Sequence, residues 1–378
     1  MLPVLKELLI YLEDNINEQR ILNAEKLHCD TLTYKTVESL PIITAYPYPK
    51  EAEFQPFPHR EIFDNPEKML FNQFVSSFGS IYLSQKIGDD LPITIRPDFG
   101  CVLVASIFGA KVEQVEDNPP WIRHSGEKIS YEQIIQTPAG DFNSGLIAKV
   151  TDRYKFYNDV LIEYPKLLKL TNIVLPDLQG PFDNLELICG SSIFLDMYSH
   201  RELFLKAMEK ITSTQIELAK YFRRYVNNRI EGFSFQHGFA LKGGILIRND
   251  TSIMVSPQMY DELIAPFDEK ILQIFGGGIH SCGNVNNAVK HMFLKSAQCF
   301  DFGQSELNNI ENIYKFASEK KIGLTRIACS EQELLNGGIQ KKYPSGISLI
   351  FRAESFEHAE KIIIEYKQSH INVIKQKK

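Results

Sequence analysis

The sequence has few cysteines, a single tryptophan and no long apolar run. Its six cysteines are scattered over 378 residues, unlike the dense spacing of a disulfide framework. No apolar stretch approaches the roughly 18–20 residues that a membrane span requires. The N-terminus lacks the basic-then-apolar pattern of a signal peptide. We therefore expect a cytoplasmic protein with reduced thiols and no membrane interaction.

Two further absences narrow the class of function. The chain has no basic stripe or arginine-rich arm, which argues against a nucleic-acid partner. It also contains neither a G-x-G-x-x-G nor a G-x-x-x-x-G-K-[ST] element, the two common phosphate-binding loops. With 44% hydrophobic residues, 23% charged residues and a net charge of −6, the composition is ordinary for a globular enzyme acting on a small molecule.

Short apolar strands alternate with helical segments from about residue 91 to the C-terminus. This alternation predicts parallel strands joined by helical crossovers. Seven or eight such units without a glycine-rich phosphate loop favour an α/β fold of the (β/α)₈ barrel type over an open doubly wound sheet. The predicted strands include 91–99, 172–175, 244–250, 299–303, 322–327 and 346–351, together with the segment that contains His280.

The N-terminal quarter has a different character. Helical spacing of leucines in 3–17 is followed by a proline- and aromatic-rich segment, 41–58. Residues 1–90 are therefore predicted to form a helical and irregular cap, and residues 91–378 the barrel. Helices are predicted to start at Asn65-Pro66 and Ser256-Pro257, because each pairs a capping residue with proline at the first helical position. The segment 131–150 is predicted to be rich in strand.

A histidine and a cysteine two residues apart form the most informative local pattern, in the stretch 276–284 (GGGIHSCGN). In an extended chain, residues i and i+2 point to the same side. His280 and Cys282 can therefore direct an imidazole and a thiol at one point, as a zinc site requires. The alternative is that His280 donates to a backbone carbonyl and carries no function.

Active sites of such barrels lie at the C-terminal ends of the strands. Polar groups recur at these ends: Cys329 follows the strand 322–327 and is predicted to be a third metal ligand beside His280 and Cys282. As catalytic or positioning groups we predict Asp250, Asp177, Arg96 and Asp98, and as substrate-binding groups Gln179, His237, Gln304 and Arg352. The alternative is that each of these groups forms a salt bridge or caps a helix.

Several of these motifs together resemble the uroporphyrinogen decarboxylase superfamily. They are the segments 177–183 (DLQGPFD), 256–260 (SPQMY) and 280–284 (HSCGN), with Asp250 between the first two. The resemblance runs from about residue 90 to the C-terminus. It implies a (β/α)₈ barrel with its site at the C-terminal mouth, and it is compatible with a homodimer.

The superfamily has two well-known branches, and this sequence departs from both. Decarboxylases carry an N-terminal Arg-Gln-Ala-Gly-Arg motif, which is absent here. Cobamide-dependent methyltransferases transfer a methyl group from a corrinoid protein to a thiol and bind zinc through a His-x-Cys pair and a later cysteine. His280 and Cys282 match the pair, but near the final strand this chain has Phe351-Arg352-Ala353 instead of a cysteine.

Three hypotheses follow. The first is a zinc-dependent, methyltransferase-like enzyme that uses a corrinoid protein as partner and a thiol as substrate. The second is a cofactor-free decarboxylase or lyase, in which Arg96, Asp98 and Arg352 bind a carboxylated, porphyrinogen-like substrate and His280 is a general acid or base. The third is a non-catalytic barrel that binds a corrinoid or another small molecule.

Overall fold

A computed structural model describes residues 1–76, 79–124, 129–138, 142–227, 229–236 and 238–376, with side chains as far as residue 369. The strands of these residues are, in chain order, β1 (Ile42–Ala45), β2 (Thr94–Ile95), β3 (Val112–Glu113), β4 (Trp121–Ile122), β5 (Asn172–Ile173), β6 (Phe233–Gln236), β7 (Phe239–Lys242), β8 (Ile245–Arg248), β9 (Gly277–Ser281), β10 (Cys299–Phe302), β11 (Gly323–Ala328) and β12 (Ile347–Arg352).

Helices separate most of these strands, and two short 3₁₀ turns, Thr251–Met254 and Ser305–Leu307, follow β8 and β10. The α-helices are α1 (Pro3–Asn15), α2 (Glu18–Leu32), α3 (His59–Ile62), α4 (Pro66–Val75), α5 (Ile81–Ile87), α6 (Leu103–Ile107), α7 (Tyr131–Gln136), α8 (Ile147–Leu161), α9 (Pro165–Leu170), α10 (Pro181–Cys189), α11 (Ile193–Ser199), α12 (Arg201–Phe222), α13 (Pro257–Leu263), α14 (Ala265–Phe275), α15 (Val289–Met292), α16 (Ile310–Lys320), α17 (Glu331–Leu335), α18 (Gly338–Lys342) and α19 (Phe356–Gln376).

Eight of the strands are parallel. Six of them form one sheet in the order β1-β12-β11-β10-β9-β8, and β2 and β5 form a separate pair. The parallel α/β class predicted from the sequence is confirmed. Within the described ranges, no strand ladder joins the β2–β5 pair to the larger sheet, so the closed barrel stays a prediction.

The N-terminal region contributes to the sheet as well as covering it. β1, at residues 42–45, pairs in parallel with β12, although the sequence places it in a cap. Helix α2 lies at the N-terminal end of the sheet, where Leu32 packs against Gly323 at the start of β11. The Gly346 N–H donates to the carbonyl of Thr31 at the end of α2. The N-terminal ends of β11 and β12 are therefore covered by α2.

Strands β6 and β7 form an antiparallel pair that packs against strands of both parallel sheets. The Gly238 N–H donates to Thr94 Oγ1 of β2 at 3.0 Å, and Phe235 and Ala240 share a buried cluster with Val174 and Leu32. On the other side, the Cys299 thiol of β10 donates to the carbonyl of Lys242. The pair therefore contacts both sheets at the N-terminal ends of β2 and β10.

Local sequence signals account for most helix boundaries. Ser256 caps α13 by accepting from the Met259 N–H, and Asn65 caps α4 in the same way, as predicted. The strand-rich prediction for 131–150 is wrong, because its described part holds α7 and the start of α8. A capping box between Ser130 and Gln133 starts α7. Along the described chain, no helix is both long and apolar enough to cross a membrane.

Candidate functional site

Three potential ligand groups converge at the C-terminal ends of β8 and β9. His280 lies on β9, Cys282 follows it, and Asp250 lies two residues beyond β8. The His280 Nε2 atom is 3.4 Å from Cys282 Sγ and 3.5 Å from Asp250 Oδ1. All three ligand atoms lie within 4.8 Å of one another. We call Asp250, His280 and Cys282 the three-residue cluster.

Backbone pairing between the two strands sets the geometry of the cluster. Arg248 is opposite His280 in the parallel register, and the Asn249 N–H donates to the His280 carbonyl at 2.8 Å. The Cys282 N–H then donates to Asp250 Oδ1 at 2.7 Å. Asp250 is thus held beside His280 by the backbone of the cysteine that completes the cluster.

A buried carboxylate orients the imidazole. Asp301, on β10 directly opposite His280, has its Oδ2 atom 2.8 Å from His280 Nδ1. The Arg326 Nη2 atom, which can only donate, lies 2.7 Å from the same nitrogen, whereas an ionised carboxylate can only accept. The tautomer that satisfies Asp301 carries the hydrogen on Nδ1. The unprotonated Nε2 lone pair is then directed towards Cys282 and Asp250, as metal coordination requires.

Asp301 is itself held by two consecutive residues of β11. Thr325 Oγ1 donates to Asp301 Oδ1 at 2.6 Å, and Arg326 Nε donates to the same oxygen at 2.7 Å. Burial alone would raise the pKa of Asp301, but the Arg326 guanidinium and the His280 hydrogen bond outweigh it and hold that pKa well below its usual range. Asp301 is therefore an anion in the folded protein.

An irregularity in β11 allows neighbouring side chains to reach one carboxylate. Successive residues of a regular strand point to opposite faces. Here the register shifts between Leu324 and Ile327, and Arg326 has φ 61°. Such a bulge re-aims a side chain and is frequent beside active sites. It turns Arg326 towards Asp301 alongside Thr325.

A cavity of about 550 Å³ adjoins the cluster at Asp250. Asp250 lines this cavity, and Arg248 and Gln179 line it too. The remaining lining includes both apolar and acidic side chains. It consists of Cys101, Trp121, Asp183, Glu186, Leu187, Phe194, Thr251 and Met254. A cavity of this size and mixed lining is typical of a small-molecule site.

A charge network of predicted residues supports one wall of the cavity. Arg248 Nη1 is 3.0 Å from Asp177 Oδ1, and Arg96 Nη1 is 3.8 Å from Asp177 Oδ2. Arg96 also contacts Asp98 at 3.3 Å. Burial alone would lower the pKa of Arg96, but Asp98 and Asp177 raise it above its ordinary value. Arg96, Asp98 and Asp177, three of the predicted site residues, are thus brought together.

Gln179 adjoins this network through a tight loop. Its N–H and its Nε2 both donate to Asp177 Oδ1, at 3.0 and 3.1 Å, and its backbone has φ 54°. A β-carbon at Gly180 would collide with the Arg248 carbonyl and with Asn249 Oδ1. Glycine therefore permits this loop to lie directly against the end of β8.

Asp183 is a cavity residue that the sequence reasoning did not select. Its Oδ1 atom accepts from the N–H and the hydroxyl of Thr251, at 3.0 and 3.1 Å. Burial, and next the charge of Asp250, raise the pKa of Asp183 well above its usual range. Among the described residues, the buried Oδ2 atom has no hydrogen-bond partner. Its place in the DLQGPFD segment was the available signal.

The other predicted residues lie outside the cluster. Gln304 Oε1 accepts from the Gly283 N–H at 2.6 Å, so it braces the loop after Cys282. Arg352, at the end of β12, is exposed and does not belong to the cavity lining given above. His237 lies outside the described residues.

Cys329 lies apart from the three-residue cluster. Its thiol donates to the Ile350 carbonyl, and it lines a different cavity, with Glu306 and Glu333. The residue sits beyond the end of β11, where the chain turns towards α17 (Glu331–Leu335). Asp250, predicted as a catalytic group, occupies the third position beside His280 and Cys282.

The groups that orient His280 were also missed. Asp301 stands in the middle of an apolar strand, Cys-Phe-Asp-Phe, and Arg326 stands in Gly-Leu-Thr-Arg-Ile-Ala. A charged residue inside a buried strand needs a partner of opposite charge. Two such residues on neighbouring predicted strands were the signal that could have paired them.

Comparisons with known proteins support the fold. No protein-family model matches the chain, and no curated protein matches its sequence. Among solved structures, it is similar to a methyltransferase from Methanosarcina mazei, with a TM-score of 0.63 and 13% sequence identity. The match covers 90% of this chain and 96% of that chain.

Proposed function

We propose that this chain is a metal-dependent methyltransferase of the uroporphyrinogen decarboxylase superfamily. It would transfer a methyl group between a corrinoid protein and a thiol substrate at the three-residue cluster. The observation that carries the proposal is the convergence of Asp250, His280 and Cys282 within 4.8 Å at the C-terminal ends of parallel strands. The similarity of fold to a methyltransferase supports the same assignment.

The proposal includes a (β/α)₈ barrel. Its support is the position of β6 and β7, which contact Thr94 of the β2–β5 pair and Cys299 of the six-stranded sheet. A strand pair that touches the first residues of strands in both sheets fits a plug at the N-terminal opening of a closed ring of eight parallel strands, because the interior of such a ring has room only for side chains. In that ring, β2 would adjoin β1, and β5 would adjoin β8.

The donor set fits zinc. One imidazole nitrogen, one thiol sulfur and one carboxylate oxygen are ligands that zinc takes, and three protein ligands leave a fourth position open. His280 meets the requirement most fully, because Asp301 Oδ2, 2.8 Å from Nδ1, would hold a hydrogen there and leave Nε2 for the metal. Bound zinc would supply a Lewis acid that lowers the pKa of a thiol substrate.

The chain's own residues would bind and orient the substrate. Asp177 holds Arg248 at the cavity wall. Arg96 contacts the other carboxylate oxygen of Asp177 and is itself paired with Asp98. Arg248 would attract a negative group of the substrate, and Gln179 would offer it a hydrogen bond. Trp121, Phe194 and Met254 also line the cavity and would contact apolar parts of the substrate.

Metal analysis of freshly purified protein tests the proposal. We expect about one zinc per chain in the wild type and its loss in Cys282→Ala. Cys101→Ala is the matched control, because Cys101 lines the same cavity outside the cluster, and it should retain the metal. Wild-type protein that carries no metal and binds no added zinc would rule out the zinc enzyme.

A cofactor-free lyase is the second candidate, and the buried arginines favour it. Arg96 and Arg248 both lie next to Asp177, and guanidinium groups bind carboxylates well. This enzyme would act on a carboxylated substrate without metal. Turnover of such a substrate that survives chelators but is lost in Arg248→Met would select it over the methyltransferase.

We propose that the corrinoid protein, as methyl donor, binds at the rim of the cavity. Trp121 and Met254 line the cavity and are 57% and 72% exposed, and Tyr198, beside Met254 in an adjoining pocket, is 73% exposed. Large exposed apolar side chains around a site are typical of a protein-binding surface. A cytoplasmic location, proposed because the six cysteines form no disulfide bond within the described residues, and a homodimer belong to the same proposal.

A further inference from the structure

An aromatic ring from the antiparallel pair β6–β7 lies next to the groups that orient His280. The ring centroid of Phe239, the first residue of β7, is 5.8 Å from Arg326 Cζ. Both residues are buried. A guanidinium within about 6 Å of an aromatic centroid is attracted by the ring, and the attraction grows when water is excluded. The ring therefore stabilises one position of the Arg326 guanidinium.

The backbone conformation of Arg326 leaves the direction of its side chain to be set by contacts. Arg326 lies at the β11 bulge with φ 61°, a conformation that side chains other than glycine adopt at a cost. A residue in a bulge is not aimed by the regular alternation of the strand. Contacts made by the side chain must then fix its direction, and Asp301 and Phe239 supply two of them.

Contacts with two other strands hold the β6–β7 pair in place and so fix the position of the Phe239 ring. Next to Phe239, the Gly238 N–H donates to Thr94 Oγ1 at 3.0 Å. At the other end of β7, the Lys242 carbonyl accepts from the Cys299 thiol. Each end of β7 is thus bound to a different parallel strand, and Phe239 is 2% exposed.

We propose that Phe239 is a positioning residue for the metal site, acting through Arg326 and Asp301 on the imidazole of His280. The proposal rests on the metal site proposed above and deepens it. In this scheme β7 supports the ligand His280 through a chain of contacts from Phe239 to Arg326, Asp301 and the imidazole. The competing explanation is that Phe239 only fills the core.

Two substitutions in the same strand pair separate these explanations. Phe239→Leu removes the ring beside Arg326, whereas Phe235→Leu removes an equally buried ring that packs against Leu32, Val174 and Ala240. Both should lower the free energy of unfolding, because each truncates a buried aromatic. Phe239→Tyr retains the ring face and serves as the conservative variant.

Cobalt(II) is the probe for the metal site, measured by its visible absorption in the full-length protein. We expect Phe239→Leu to lower Co²⁺ affinity about tenfold, the smaller end of the range for residues that support a ligand, and to alter the spectrum. Phe235→Leu and Phe239→Tyr should retain wild-type affinity and spectrum. Equal Co²⁺ affinity in the two leucine variants would overturn the proposal.

The metal-free protein gives an independent readout. The ¹⁵N shifts of the His280 imidazole, assigned with His280→Gln, report which ring nitrogen carries the hydrogen. We expect wild type and Phe235→Leu to hold it on Nδ1, and Phe239→Leu to show a mixture of tautomers. If the wild type binds no Co²⁺, the metal site fails, while an unchanged tautomer in Phe239→Leu would refute the positioning role separately.

Discussion

Gly303 lies directly against Cys282. A β-carbon placed on Gly303 would come within 2.5 Å of the Cys282 sulfur and 3.0 Å of its Cα, closer than atoms in contact can approach. Gly303 follows β10, and its N–H donates to the Ser281 carbonyl at 2.9 Å, which fixes the two backbones together. The absence of a side chain at residue 303 therefore makes room for the thiol of the cluster.

Gly303→Ala should impair metal binding by displacing the thiol. We expect zinc affinity to fall at least about tenfold, with overpacking costing about 1–3 kcal/mol of stability. Affinity is measured by competition with a chelator and stability by chemical denaturation. Gly109→Ala is the control: its φ of 88° makes alanine strained, but no atom lies within 4 Å of the new carbon. Equal zinc affinity in both variants would contradict the prediction.

Asp301→Asn should weaken metal binding although Asp301 is not a ligand. Loss of the carboxylate removes the partner of His280 Nδ1, which typically costs 10–100-fold in affinity. It also leaves Arg326 buried without its anion, a loss of about 3–5 kcal/mol. The double variant Asp301→Asn/Arg326→Met should regain stability but not zinc affinity. Recovery of both would show that Asp301 supports only the fold.

Asp250→Ala and Cys329→Ser distinguish the two candidates for third ligand. Because Asp250 Oδ1 lies 3.5 Å from His280 Nε2, its removal should lower bound zinc well below one per chain. Cys329→Ser should leave zinc unchanged, because that thiol contacts the Ile350 carbonyl. Zinc content by mass spectrometry measures both. The reverse pattern would place Cys329 in the site.

Asp268 should make the protein less stable as pH rises. This carboxyl is fully buried, accepting from Asn249 Nδ2 and the Tyr260 hydroxyl, and burial raises its pKa from 3.8 to about 7. Between these values the unfolded chain loses the proton while the folded protein keeps it. The free energy of unfolding therefore falls with pH, by up to about 1.4 kcal/mol per pH unit.

The matched variant for this dependence is Asp268→Asn. An amide can accept the same two hydrogen bonds, and its NH₂ group would take the place of Oδ1, which has no partner in the part of the chain that the structure describes. Denaturation between pH 4.5 and 8 should show a shallower decline in Asp268→Asn than in the wild type. Parallel curves for the two proteins would show that Asp268 is ionised in the folded state.

The strand ends were predictable because they obey a local rule. A short apolar run followed by polar residues identifies both the strand and its active edge, and this led to Asp177, Asp250, His280 and Cys282. Capping residues with proline likewise marked α4 and α13. These signals lie within a few residues of the feature that they predict.

The remaining site depends on registers that no local pattern contains. His280 faces Asp301 because β9 pairs with β10 in one alignment, and Arg326 joins them because β11 is irregular. A proline also divides one helical segment of the chain. The structure has α8 ending at Leu161 and α9 starting at Pro165, since proline cannot continue a helix interior.

The pairing of β1 with β12 has a practical consequence for fragments of this protein. Thr44 and Ala45 stand opposite Phe351 and Arg352, so the N-terminal region covers the hydrogen-bonding edge of the last strand. A fragment that starts at residue 91 would leave that edge open, and open edges recruit strands from other molecules. Truncation there would produce a self-associating sheet rather than a minimal enzyme.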